Sequence, residues 1–247
     1  MPPRSRRPFQ PTKAMVLAAG LGKRMRPLTN DIPKPMVPFQ GRPLIDHVLD
    51  RLAAAGIIEA IVNVHYQPLP LERHLAHRKA PKITISDERD ALLDTGGGLM
   101  RALPLLGNDA FVIHNSDSVW EEGVGSNLDR LFGAWDDAKM DSLLLMALSG
   151  TSLGYDGHGD FTMDADGRLQ RREEGRESPF VFSGVSIAHP RMFKDAPPGA
   201  FSLNTLWDRA IERGRLYGIR LEGTWMHIGT PEALADAERW VADETAR

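Results

Sequence analysis

The strongest constraint on this chain is an alternation of two hydrophobic periods. Short, continuous apolar runs of strand length alternate with apolar stripes at helical spacing. Ala14-Met15-Val16-Leu17-Ala18 is the first run, and residues 60–64 and 143–148 repeat the type. Leu44, Ile45, Val48, Leu49 and Leu52 form the first stripe, with Gly56 placed to cap it. A strand that is apolar at every position is buried on both faces. Joined by helices, such strands predict an α/β fold in three layers, a mostly parallel sheet between helices. Further strands are expected at 82–86 and 111–114, and helices at 71–77, 99–106 and 128–135. After residue 150 the pattern changes to a mixed one. Asp166-Gly167 reads as a hairpin turn between 160–163 and 168–171. Strands follow at 180–188, 216–221 and 224–228, with a helical stripe at 203–211 between the first two. Thr230-Pro231-Glu232 opens a last helix with an N-cap, an N1 proline and an early acid.

Composition removes several function classes. A chain of 247 residues fits one domain, at most two. It holds no cysteine, which excludes disulfides, thiolate zinc sites and cysteine nucleophiles. A net charge of −3 gives no reason to expect nucleic acid as a partner, and no apolar run is long enough to span a membrane. Residues 1–12 carry Arg4, Arg6 and Arg7 with several prolines and no apolar core of a signal peptide, so a disordered basic arm and a cytoplasmic location are expected. The histidines other than His227 are scattered. Ser116 and Ser183 lack the local signature of a hydrolase.

In parallel sheets, ligands gather at the carboxyl ends of strands. Three features fall there: the loop after residue 18, the glycine triplet Gly96-Gly97-Gly98, and Asp117. In Leu17-Ala18-Ala19-Gly20-Leu21-Gly22-Lys23-Arg24, small residues let backbone N–H groups approach a phosphate, and the basic residues add charge. The spacing is not that of a dinucleotide fingerprint, because Met25 stands where a third glycine belongs, nor of a Walker A loop, because Arg24 follows Gly22-Lys23. The loop alone therefore leaves phosphate binding and a plain tight turn both open. In Pro33-Lys34-Pro35 the prolines stiffen the backbone around one lysine.

Together, Leu17-Ala-Ala-Gly-x-Gly-x-Arg24-Met-x-Pro-Leu-Thr and Pro33-Lys34-Pro35-Met36 resemble the signature of the sugar-1-phosphate nucleotidylyltransferases. The resemblance implies transfer of a nucleotidyl group from a nucleoside triphosphate to a sugar 1-phosphate, on a Rossmann-like nucleotide-diphospho-sugar transferase fold with a mixed sheet. It implies one domain over 13–247, with a nucleotide-binding part to about residue 120 and a sugar-binding part over about 121–230. Arg24, Lys34 and Asp117 then carry the catalytic roles, Asp117 as the Mg²⁺ ligand. Leu17, Ala18, Ala19, Gly20, Gly22 and Lys23 hold the triphosphate. Asn63, Thr95, Gly96, Gly97 and Asn115 surround the nucleoside, the glycine triplet acting as a loop near the base.

One position departs from the family pattern. A second acidic metal ligand is common in a Trp-x-Asp-x-Gly-Thr segment, but here His227 occupies that place in Trp225-Met226-His227-Ile228-Gly229-Thr230. Imidazole suits softer ions than Mg²⁺. His227 as a ligand of a metal such as Mn²⁺, as a contact to substrate phosphate, and as a structural histidine all remain open. For the sugar, the resemblance points to Asp160, Ser183 and Gly184, while a bulge or a tight sheet contact explains the same segments equally well. The compact form is similar to N-acetylmuramate 1-phosphate uridylyltransferases of peptidoglycan recycling, through Asp94-Thr-Gly-Gly-Gly, Asn115-x-Asp117, Gly159-Asp160-Phe161 and Phe182-Ser-Gly-Val. UTP and N-acetylmuramate 1-phosphate are the expected substrates. Mannose 1-phosphate guanylyltransferases share the N-terminal signature, and a nucleotide-sugar-binding module without turnover is the reading from another class.

Overall fold

The computed structural model describes residues 9–246. In chain order the elements are β1 (Lys13–Leu17), β2 (Pro38–Phe39), β3 (Arg42–Pro43), α1 (Leu44–Ala54), β4 (Glu59–Val64), α2 (Pro68–Leu75), β5 (Lys82–Asp87), α3 (Asp94–Leu106), β6 (Phe111–Asn115), β7 (Ser118–Glu122), α4 (Asn127–Ala134), β8 (Ser142–Leu148), β9 (Phe161–Met163), β10 (Leu169–Arg171), β11 (Phe180–Ala188), α5 (Asn204–Glu212), β12 (Leu216–Arg220), β13 (Gly223–His227) and α6 (Pro231–Thr245).

Period-two alternation along β1 shows why the sheet is covered twice. Met15 points into a cluster with Leu99, Ala102, Leu206 and Trp207, supplied by α3 and α5. Its neighbour Val16 points the other way, among Ile45, Val48, Leu49 and Leu128 of α1 and α4. Each fully buried aliphatic or aromatic side chain of this kind contributes about 1.5–3 kcal/mol. The expected three layers follow directly from the doubly apolar strands.

β1 lies between β4 and β6 and is parallel to both. β5 extends the sheet beside β4. On the other side β11 runs antiparallel to β6 and to β8, and β12 is parallel to β8. The β9–β10 hairpin joins the end of β11. The nine-stranded sheet is therefore mixed and mostly parallel. Because β11 bonds β6 directly, the nucleotide-binding and sugar-binding stretches expected from the sequence share one sheet. A register shift between Phe182 and Ser186 bends β11, and Gly184 there takes φ +90°, a left-handed conformation that suits glycine.

Beside the main sheet, β7 and β13 form an antiparallel ribbon with Trp225 opposite Trp120. The ribbon and α6 build a third cluster around Met25, Val37, Val119 and Met226, which anchors the long loop after β1. The ribbon was half foreseen: residues 224–228 were expected as a strand, while β7 was not.

Two expectations are corrected. The glycine triplet is no loop; it lies inside the first turns of α3. At the N-terminus, Phe9 packs edge-on to Phe132 at 6.5 Å and against Trp135 at 5.6 Å, and Gln10 Nε2 donates to Ala55 O at 2.8 Å. Residues 9–12 are therefore part of the fold, and residues 1–8 of the expected arm lie outside the described residues.

Candidate active site

The carboxyl ends of β1, β4 and β6 open into a cavity of about 440 Å³. Leu17 to Gly20 and Gly22, Asn63, Lys34 and Asn115 to Asp117 all face it, as the position of these strand ends requires. The loop after β1 is held by its neighbours because it has few side chains of its own. Gly22 adopts φ +61°, and Thr29 Oγ1 donates to its carbonyl at 2.8 Å. A Cβ on Gly22 would crowd the Thr29 side chain at 3.1 Å, whereas one on Gly20 would meet nothing within 4 Å.

Asn63 fixes where the loop starts. Its Oδ1 accepts the Ala18 N–H at 2.6 Å, and its Nδ2 donates to Glu88 Oε1 at 2.8 Å. Both residues line the cavity, so Asn63 serves the loop as well as any ligand. Glu88 is fully buried, and its Oε2 has no hydrogen-bond partner among the described residues. Burial pushes its carboxyl above the usual glutamate range, against the opposing pull of Asn63 and Arg101. Gly98 makes room for this pair: a Cβ there would lie 2.7 Å from Glu88 Oε1 and 3.0 Å from Asn63 Nδ2. Glu88 was not foreseen, and a lone acid after a strand carries no sequence signal.

Lys34 begins a short 3-10 turn after Pro33, with Pro35 buried behind it. Its Nζ forms an ion pair with Asp117 Oδ2. Asp117 occupies the tight turn between β6 and β7. Burial works against its charge, but Lys34's charge and hydrogen bond, helped by His227, outweigh that and hold the carboxyl below its ordinary value. His227 ends β13 opposite Ser118, next in chain to Asp117. Burial lowers the imidazole pKa, Asp117 raises it, and Lys34 and Arg24 lower it further. The ring is therefore neutral near pH 7 and packs against Tyr155 at 6.1 Å and Trp225 at 5.5 Å.

The remaining sequence candidates divide clearly. Lys23 and Arg24 are exposed on the turn anchored by buried Met25 and stand outside the cavity wall, though Arg24's charge reaches His227. Thr95 lines the cavity, and its Oγ1 accepts the Leu203 N–H at 2.8 Å. Gly96 and Gly97 are buried, and their N–H groups donate to Phe201 O at 2.9 and 3.2 Å. Side chains there would collide with the Phe201 ring and with Gly199 O, so close packing accounts for glycine at both positions.

A second cavity of about 280 Å³ shares Leu17, Asp94, Thr95 and Asn115 with the first and continues under β11. Asp160 lines it, with Oδ2 accepting the Phe182 N–H at 2.9 Å. Ser183 does not reach it: the residue is fully buried, its Oγ donates to Leu145 O at 2.8 Å, and its carbonyl accepts from Ser118 Oγ. Gly184 provides space for Asn115, whose Nδ2 would lie 3.1 Å from a Cβ there. Arg171, Asn204 and Trp207 complete this wall and were read from the sequence only as strand and helix residues. Among the described residues no cluster of three or more histidines and acids is arranged for a metal, and no helix is long and apolar enough to cross a membrane.

A glycine loop at a strand end, a cation held by an acid, and two cavities with shared lining residues together form a site on a Rossmann-like sheet whose chemistry suits a phosphorylated ligand. The chain belongs to the nucleotidyl transferase family, whose profile matches residues 13–244. It is 47% identical over 237 residues to an N-acetylmuramate alpha-1-phosphate uridylyltransferase of Caulobacter vibrioides, covering 94% of this chain and 98% of that protein. A protein of the same name from Neisseria meningitidis is 31% identical over 92% of this chain and 96% of its own length. The mannose-1-phosphate guanylyltransferase catalytic subunit beta of Danio rerio is 30% identical over 89% of this chain and 62% of its own. The fold matches that of a UDP-glucose pyrophosphorylase complexed with UDP-glucose, with a TM-score of 0.79 at 17% identity, over 95% of this chain and 99% of that one. The chain is thus a nucleotidyltransferase.

Proposed function

We propose that this enzyme transfers the uridylyl group of UTP to N-acetylmuramate 1-phosphate and releases pyrophosphate, in the cytoplasm. The observation that carries the substrate choice is the 47% identity to the Caulobacter vibrioides uridylyltransferase over nearly the full length of both chains. The site supports the chemistry independently. Attack of a sugar phosphate oxygen on the α-phosphorus needs no protein nucleophile; it needs alignment and neutralisation of developing charge. Backbone N–H groups of residues 19–22 cradle the triphosphate in the first cavity. Lys34 offsets charge on the phosphates, Arg24 adds positive charge from outside the cavity wall, and the sugar occupies the second cavity beside Asp160. Leu17, Asp94, Thr95 and Asn115 line both cavities, and on this reading they would lie where the two substrates meet.

The donor set fits a divalent cation of the magnesium type, which takes one or two protein carboxylates and completes its shell with phosphates and water. Asp117 would hold it, with the neutral imidazole of His227 adjacent. Such a cation, when bound, neutralises charge on the reacting phosphates.

Pyrophosphate release, measured with each nucleoside triphosphate against a panel of sugar 1-phosphates, tests the reading. UTP with N-acetylmuramate 1-phosphate is expected to give the highest kcat/KM. Preference for GTP with mannose 1-phosphate would overturn the specificity, and absence of turnover with every pair would leave a nucleotide-sugar-binding module. Asp117→Asn is expected to lower turnover by about 100-fold or more, as loss of one preorganised charge does, with the fold intact.

A further inference from the structure

Arg171 is the one cationic side chain among the described residues that line the second cavity. It ends β10, opposite Phe161 of β9. Its guanidinium lies over the Phe161 ring at 4.6 Å. Along one edge, Nε donates to Asp208 Oδ1 at 2.7 Å, and Nη2 donates to Asn204 Oδ1 at 3.0 Å and to the Asn204 carbonyl at 3.3 Å. Nη1 makes no hydrogen bond to any described residue, which leaves its N–H donors unspent. The group is thus held in place on one face and one edge while its other edge is open, the arrangement that serves recognition of a planar anion.

A tether between β10 and α5 alone would not need this arrangement. Asp208 is 55% exposed, and an ion pair to so exposed a partner adds little stability. Nor does a neutral hexose ring call for a guanidinium in its pocket. N-acetylmuramate differs from N-acetylglucosamine by an ether-linked lactyl group that ends in a carboxylate. The acids lining the cavity, Asp94 and Asp160, would repel that carboxylate, and Asp160 is already engaged by the Phe182 N–H.

We propose that Arg171 reads the carboxylate of an acidic substituent on the sugar 1-phosphate and so sets selectivity for N-acetylmuramate over its neutral parent sugar. The inference rests on the uridylyl-transfer reading above and adds the group that discriminates. The test compares kcat/KM for N-acetylmuramate 1-phosphate and N-acetylglucosamine 1-phosphate, both with UTP, in the wild type and in Arg171→Gln, Arg171→Lys and Asp208→Asn. Losing a charge-assisted contact in Arg171→Gln is expected to lower the selectivity ratio by about 10- to 100-fold. Its kcat/KM for the neutral sugar should stay within about threefold, because that sugar offers no partner for the lost charge. Arg171→Lys keeps the charge and loses the fork, so it should retain part of the preference and still report if Arg171→Gln fails to fold. Asp208→Asn keeps an oxygen that can accept from Nε, and Asn204 and the Phe161 ring still hold the group, so it should lower the ratio by less than Arg171→Gln does. Equal losses on both sugars would make Arg171 a structural tether and overturn the proposal. A selective wild type whose ratio survives Arg171→Gln would overturn this assignment alone, whereas a wild type indifferent to the carboxylate would overturn it together with the substrate reading.

Discussion

Replacing Asn63 by alanine removes the hydrogen bond that ties Ala18, at the start of the glycine loop, to β4, together with the bond from Asn63 to Glu88. Asn63 is 3% exposed, so water cannot substitute freely. The Ala18 N–H, now 2.6 Å from Oδ1, would be left buried without an acceptor, at a cost of about 1–3 kcal/mol. Glu88 would lose the 2.8 Å donor to Oε1 while its Oε2 already lacks a partner, at a similar further cost that proton uptake by the carboxyl would limit. The sum, about 2–5 kcal/mol, is a large share of a typical domain stability of about 5–15 kcal/mol. Urea denaturation at pH 7 measures it, and the KM for the nucleoside triphosphate should rise because the loop is no longer registered on β4. A loss below about 0.5 kcal/mol with unchanged KM would refute the view that Asn63 anchors the loop. Asn63→Asp sharpens the test. It keeps the acceptor for Ala18 but sets a second carboxyl against Glu88, and two such groups share a proton more readily than they ionise together. Its deficit should be small at pH 5 and grow toward pH 8.

Three other perturbations test separate parts of the site. Burial raises the Glu88 pKa, so the folded state binds its proton more tightly than the unfolded chain; its contribution is fully present below the unfolded pKa and is lost as pH rises through the folded one. Glu88→Gln should therefore gain stability on the wild type between pH 5 and pH 8, and an unchanged difference in urea midpoint over that range would count against the assignment. Gly97→Ala gains up to about 1 kcal/mol of helix propensity, yet its Cβ would collide with Gly199 O. A net loss of about 1–3 kcal/mol is expected from the overpacking, and a raised melting temperature would show the packing argument to be wrong. If His227 contacts the cation, His227→Asp should move the ratio of Mg²⁺- to Mn²⁺-supported turnover toward Mg²⁺; an identical metal profile would assign the ring to packing against Tyr155 and Trp225.

The layers of the fold were legible because burial on two faces leaves an unmistakable mark, a strand with no polar position. The last helix was legible for a different reason: Thr230 Oγ1 does accept the Ala233 N–H at 3.2 Å, as its N-cap chemistry predicts. Backbone-driven features of the site, the loop of residues 17–22 and the turn at Asp117, followed from their place at strand ends. The glycine triplet misled because glycine marks tight approach as well as turns. At Gly96 and Gly97 the approaching atoms belong to the segment around Phe201, far away in sequence. Ser183 misled for a related reason, since its hydroxyl is spent inside the sheet on Leu145 O. Glu88 and Arg171 acquire their roles only from the neighbours that folding brings to them, and no local pattern records those neighbours.

Lys34 and Asp117 also explain how a charged site can exist before any ligand enters. Both side chains are partly buried, at 13% and 31% exposure, and either one alone would carry an uncompensated desolvation cost. Paired, they neutralise each other, and the proline on either side of Lys34 fixes the backbone from which its side chain reaches the carboxylate. A phosphate entering the cavity competes with Asp117 for Lys34, and gains that charge only by leaving the carboxylate without its partner. A ligand that brings both an anion and a cation has no such conflict, because each protein charge then finds a new partner as it gives up the old one. Under the proposed uridylyl transfer, the pair would favour phosphates that arrive with a counterion over phosphates alone.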